Sequence, residues 1–276
     1  MPINLNASTP IVDEVMRFGG IFGGYTYPIP GTTPPYPPAV DLVESCSPTS
    51  SASNSDWQAS TPPMPTPRAH GNAVLLPDGS TFVVGGTTDS RNSSSANLLK
   101  KAELLLPQGI WRQVPDMAVG RGYHSTAMLL PSGKVLVAGG EGRDKHTGND
   151  DYQIYNPPYL FRGPRPKITT ISHGQWAYDP NGTNPTYTID YTLEGPVGGS
   201  DVSIEKVVLM RPGATTHHSD FDQRAVILKQ EASPNPGATV AVRAPRHTRD
   251  APKGYYMVFL VSNKGVPSKA GWIRLQ

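Results

Sequence analysis

"AHGNAVLLPDGSTFVVGG" (residues 69–86) lies without a gap over "YHSTAMLLPSGKVLVAGG" (residues 123–140). His70 and His124, Pro77 and Pro131, Gly79 and Gly133, and Gly86 and Gly140 are each separated by 54 positions. Trp57 and Trp111 keep the same spacing outside the two stretches, which a pair of unrelated hairpins would not do. Each unit reads as strand, Pro-x-Gly turn, strand, Gly-Gly, variable loop, third strand, and a strand carrying Trp. Turn glycines supply positive φ where a hairpin reverses, and the Gly-Gly pair lets backbones crowd where neighbouring units meet. A worn third copy comes first, in "VMRFGGIFGG" (15–24) and "AVDLVES" (39–45).

A period near 50 residues with this layout is the kelch type of β-propeller blade. Propellers close with about four to eight blades. About three blades leave open sheet edges, so the chain is expected to be the C-terminal part of a longer protein, completed by missing N-terminal blades or by a second chain. After "YNPPYLFRGPRPKIT" (155–169) the Gly-Gly pattern stops. The strands "PTYTIDYTL", "IEKVVLMRP", "RAVILKQ", "ATVAVRAP", "GYYMVFLVS" and "GWIRL" follow, spaced by turn residues as in an immunoglobulin-like sandwich. The expected architecture is all-β, with propeller blades over 1–162 and a sandwich over 163–276. "SANLLKKAELLL" (95–106) reads as a loop feeding a strand rather than a helix.

Composition narrows the function. The 276 residues carry a net charge of +2 with no basic stripe, which argues against a nucleic-acid partner. No apolar run is long enough to span a bilayer, so no membrane partner is expected, and "MPINLNASTP" has no signal-peptide pattern. The single cysteine, Cys46, excludes an internal disulfide. Asn6, Asn92 and Asn181 each begin an N-x-S/T sequon.

Tyr123 and His124 open a strand that otherwise reads as ordinary core. His70 fills the slot of His124 in the preceding unit, but Tyr123 replaces Ala69, so this unit alone asks for a phenol. Side chains of successive strand residues point to opposite faces. Tyr123 and His124 can therefore share a metal only at an irregular strand start, where Gly122 would permit a turn.

"RGYHSTAMLLPSGKVLVAGG", "YQIYNPPYLFRGPRPKI", "ATTHHSDFDQRAV" and "PKGYYMVFLVSNKGVPS" together resemble the C-terminal part of the galactose oxidase and glyoxal oxidase family, the copper radical oxidases. The resemblance implies a seven-bladed kelch propeller followed by an immunoglobulin-like early-set domain, whose loop delivers a histidine to copper on the propeller axis. By motif, Tyr123 matches the axial tyrosine and His124 the first histidine ligand. His217 matches the second, with Asp222-Gln223-Arg224 at the family's spacing, and the register leaves out His218. Imidazole and phenolate suit tetragonal Cu(II), and the cation must lower a tyrosine pKa near 10 for phenolate to bind.

The resemblance further implies oxidation of a primary alcohol or aldehyde, or of a carbohydrate bearing one, by O2, with Tyr123 accepting the substrate's proton. An extracellular location follows by family habit. One element has no counterpart. The family's second electron acceptor is a tyrosine cross-linked to a cysteine, contributed by earlier blades. Here Ala69 fills the aligned slot, Tyr25 and Tyr27 match no motif of the family, and Cys46 reads as an inert residue beside a strand. By this resemblance the chain supplies three of the four expected ligands of one copper ion and lacks the radical cofactor, so alone it is not expected to turn over. The alternative is a non-catalytic module that binds carbohydrate or protein through "TTDSRNSSSANLLKK" and "EGRDKHTGNDDYQ". A zinc hydrolase is weaker, because no HExxH-like cluster exists.

Overall fold

The turn shared by the two repeats is built the same way in both. In the first, the Leu76 N–H donates to Ser80 O at 2.9 Å and the Gly79 N–H to Leu76 O at 3.0 Å. In the second, Leu130 donates to Lys134 O and Gly133 to Leu130 O, both at 2.8 Å. Gly79 and Gly133 take φ of 94° and 78°, the left-handed region that the reversal requires. The Gly-Gly pair answers to crowding. A Cβ on Gly85 would stand 2.7 Å from the carbonyl oxygen of Arg121 at the entry to the next blade.

The computed structural model describes residues 2–4, 15–18, 38–46, 57–59, 62–89, 97–141, 149–184, 186–194, 202–235 and 237–276. Among them, three antiparallel sheets follow one another as blades. The first holds Val15–Phe18, Val43–Cys46 and Gln58–Ala59. The second holds Asn72–Leu75, Thr81–Val84, Ala102–Leu105 and Trp111–Val114. The third holds Ser125–Leu129, Val135–Gly139 and Tyr152–Tyr155. The repeated tryptophan has a structural use. Trp111 donates to Pro62 O at 3.0 Å and meets Phe18 edge-on, joining the second blade to the first. Phe82 stacks on Tyr155 at 4.3 Å, joining the second blade to the third.

Each of the last two blades also buries an arginine. Arg68 donates to Gly85 O at 2.5 Å and pairs with Glu103, and Arg121 donates to Gly139 O and Asp151, both at 2.7 Å. The two arginines are one position out of the repeat register, which hides their common role in the sequence.

A four-stranded sheet of Arg165–Ile171, Tyr187–Glu194, Thr239–Val242 and Gln230–Glu231 faces a larger one. The larger sheet runs Pro2–Asn4, Arg224–Ile227, Ile204–Arg211, Gly254–Ser262, Gly271–Leu275 and Gln175–Trp176. All six strands anticipated after residue 184 are present. Arg165–Ile171, not among the six strands read from the sequence, is a further strand. It sits at a sheet edge, where Pro166 can pair with Leu193 without leaving a ladder donor missing. Residues 95–96 lie outside the described set; Ala102–Leu105 is a strand as read. Among the described residues no helix is long and apolar enough to cross a membrane.

Gly254–Ser262 explains how the parts join. Tyr256, Val258 and Leu260 face the sandwich core, while Met257, Phe259 and Val261 face a second cluster that includes Leu75 and Leu129 of the blades. A strand covered on both faces loses the apolar–polar alternation of a half-exposed one. Around this seam Lys206 donates to Asp78 O at 3.2 Å, and Ala270 N–H to Pro131 O at 2.8 Å.

Candidate metal centre

Tyr123 and His124 are the central residues of a turn closed by the Ser125 N–H on Gly122 O at 3.1 Å. The irregular strand start is therefore present, but its unusual backbone is not at Gly122. His124 itself carries it, with φ of 61°. This corrects the expectation that the glycine makes the turn. The ring of Tyr123 lies 3.9 Å from that of His124, centroid to centroid.

His217 arrives from the sandwich on a short ribbon of Thr215–Thr216 and Ser219–Asp220. His217 and His218 are its two-residue turn, at φ of 53° and 60°. Positive φ at both central positions is the primed hairpin pattern, which normally takes Asn-Gly. One carboxylate shapes the loop: Asp220 Oδ1 accepts the N–H groups of Ala214, Asp222 and Gln223 at 3.0–3.1 Å. Gln223 then pins the loop to the second blade, donating to Ala73 O at 2.7 Å and accepting the Leu75 N–H at 3.0 Å. Asp222 binds Arg211 at 2.7 Å, and Arg224 donates to the carbonyls of Arg249 and Asp250. The Asp-Gln-Arg run thus positions the histidine turn.

The result brings all three anticipated residues together. The His217 ring is 4.9 Å from that of His124 and 5.7 Å from that of Tyr123. Each of these histidines has its Nδ1 engaged, His124 with Glu141 at 3.0 Å and His217 with the Thr216 hydroxyl at 2.7 Å. Such partners orient an imidazole and direct its other nitrogen, Nε2, to a metal. Two imidazoles and a phenol suit copper in chemistry. Among the described residues no three His, Cys, Asp or Glu side chains form a metal-holding group.

Neither Glu141 nor Thr216 was singled out in the sequence. A signal existed for Glu141, which stands 54 positions after Thr87 and replaces a hydroxyl with a carboxylate in this blade alone. His218, left out by the register, also joins the cluster: its Nδ1 is 3.2 Å from that of His70. Burial, and then the neighbouring His70, His217 and His124, push His218 down to about 4, so its ring is neutral at neutral pH. Cys46 is buried in Val43–Cys46. Tyr25, Tyr27, His146 and much of the two variable loops lie outside the described residues.

Blades, sandwich and an imidazole cluster at their junction define an all-β protein of two parts with a candidate metal centre between them. Residues 165–275 match the family model of the galactose oxidase-like, early set domain. A galactose oxidase of Gibberella zeae is 34% identical over 216 residues, covering 75% of this chain and 29% of that protein. The aldehyde oxidase GLOX1 of Arabidopsis thaliana is 30% identical over 241 residues, covering 79% of this chain and 37% of the relative. A solved fungal alcohol oxidase of the AA5 family, in complex with copper, aligns with a TM-score of 0.78 at 25% identity. That alignment covers 96% of this chain and 52% of the solved one. The chain belongs to the galactose oxidase/glyoxal oxidase-like family, and spans roughly a third of the length of these curated relatives.

Proposed function

We propose that this chain is the copper-holding part of a galactose oxidase- or glyoxal oxidase-like copper radical oxidase, with Tyr123, His124 and His217 as ligands. The observation that carries this reading is the convergence of a blade turn and a sandwich hairpin on one phenol and two oriented imidazoles. The parent reaction is oxidation of a primary alcohol or aldehyde by O2 to aldehyde or acid and H2O2, in an extracellular setting. The blades (1–162) and the sandwich (163–276) act as separate domains sharing the site. Bound copper would supply a Lewis acid and a one-electron acceptor. Tyr123 takes the proton of the substrate hydroxyl, while Glu141 and Thr216 hold the two imidazoles in place.

Removing two electrons from the substrate needs a second acceptor. Cys46 is buried within a strand, and Ala69 stands where the preceding blade would offer a tyrosine. The chain by itself therefore binds copper and does not turn over. The same fact favours a second reading, a non-catalytic carbohydrate- or protein-binding module.

Cu(II) titration followed by electron paramagnetic resonance separates the two. A tetragonal signal that is altered in Tyr123→Phe and lost in His217→Ala supports the copper reading. Binding no tighter than micromolar in the wild-type chain favours the module. Peroxide produced from a primary alcohol by the chain alone would overturn its inactivity.

A further inference from the structure

His70 and His218 have no role in the reaction proposed above, yet the fold brings them together from positions 148 residues apart. Their Nδ1 atoms stand 3.2 Å apart, with ring centroids at 4.7 Å. Two nitrogens bound to one ion at about 2.0–2.1 Å lie about 2.9 Å apart at a right angle and about 3.3 Å apart at a tetrahedral one. The pair is already at chelating separation.

The simpler explanation is a hydrogen bond between two imidazoles, and the backbone and placement of the pair argue against it as the whole reason. His70 and His218 take φ of 54° and 60°. A left-handed non-glycine residue is uncommon, and such residues gather at functional sites. The placement is also systematic. His70 occupies the blade slot of His124, and His218 is the turn partner of His217, so the second pair repeats the first with one member from each part of the fold. Tyr123 contacts all four rings, at 3.9–5.9 Å. Among the described residues, the ring contacts between histidines are the two pairs His70–His218 and His124–His217.

We propose that His70 and His218 form a second transition-metal site, which chelates one borderline divalent ion such as Cu(II) or Zn(II) beside the Tyr123, His124 and His217 set. Imidazole is the ligand shared by these ions, and water fills the remaining positions.

Metal stoichiometry of the full chain tests this, using Cu(II) and, separately, Zn(II). Asn is the substitute of choice because it tolerates left-handed backbone. The wild type is expected to take two Cu(II) ions, and His70→Asn/His218→Asn one, with the second paramagnetic signal gone and the thermal melt retained. His124→Asn/His217→Asn is expected to keep one ion, lost when all four are replaced. Unchanged stoichiometry and affinity in His70→Asn/His218→Asn would overturn the second site. So would a His124→Asn/His217→Asn chain that folds and binds nothing. If that variant keeps both ions while His70→Asn/His218→Asn loses one, the second site stands and the copper reading of the first falls.

Discussion

Among the described residues, the non-glycine positions with positive φ are His70, His124, His217 and His218. Strain of this kind persists where the surrounding structure over-determines it, and it gathers at functional sites. Here it falls wholly on residues able to bind metal. Because the His217 ring is exposed, replacing it removes little packing. His217→Gly is expected to raise the stability of the metal-free chain by about 1 kcal/mol while weakening Cu(II) binding, checked by urea unfolding and titration on one preparation. A variant less stable than wild type would show that the turn is not strained. Glu141 offers a complementary test. Glu141→Gln is expected to lower Cu(II) affinity about ten-fold or more with little change in melting, because the lost carboxylate orients His124 rather than filling the core.

At the scale of elements, the histidine ribbon is short and depends on its anchors. Gln223→Ala removes two hydrogen bonds to the second blade and leaves Ala73 O and Leu75 N–H without that partner. A loss of about 1–3 kcal/mol is expected, with weaker Cu(II) binding because the turn loses its register. Unaltered affinity would place the control of the turn elsewhere. In the sandwich, burial pushes the Asp179 carboxyl up, but the N–H groups of Asn184 and Thr183 and the Arg243 guanidinium outweigh it and hold the group below its ordinary range. A depressed carboxylate contributes stability that is present above its unfolded pKa, about 3.9, and is lost as pH falls through the folded value. The acid limb of the stability curve below about pH 4 is therefore expected to flatten in Asp179→Asn, read from urea midpoints across pH. A limb parallel to wild type would remove Asp179 from the account.

At the scale of the whole molecule, the blades and sandwich share an apolar seam through Val208, Met210, Met257 and Phe259 against Leu75 and Leu129. Phe259 is fully buried in it, and Phe259→Ala is expected to cost about 3–5 kcal/mol. The loss should appear in a single calorimetric transition, since the two parts unfold together when their cores are joined. Two separated transitions in the wild type would show the seam to be weak.

Much of this was legible in the chain itself. The 54-residue offset, the turn glycines and the Gly-Gly pairs specify blades because they encode local backbone geometry that tolerates few other residues. The apolar run "GYYMVFLVS" marks a strand covered on both faces. Tyr123, His124 and His217 could be nominated by motif. The strand at Arg165–Ile171 was obscured because proline reads as a breaker until its place at an edge is known.

What only the tertiary structure decided is the meeting of side chains remote in sequence. The pairing of His70 with His218 and the grip of Gln223 on the blade depend on how the sandwich docks, while the Glu141 contact on His124 is made between neighbouring strands of one blade. Local sequence encodes turns and strands; the distance between two imidazoles on different sheets is set by packing across the interface, which no short stretch of residues specifies.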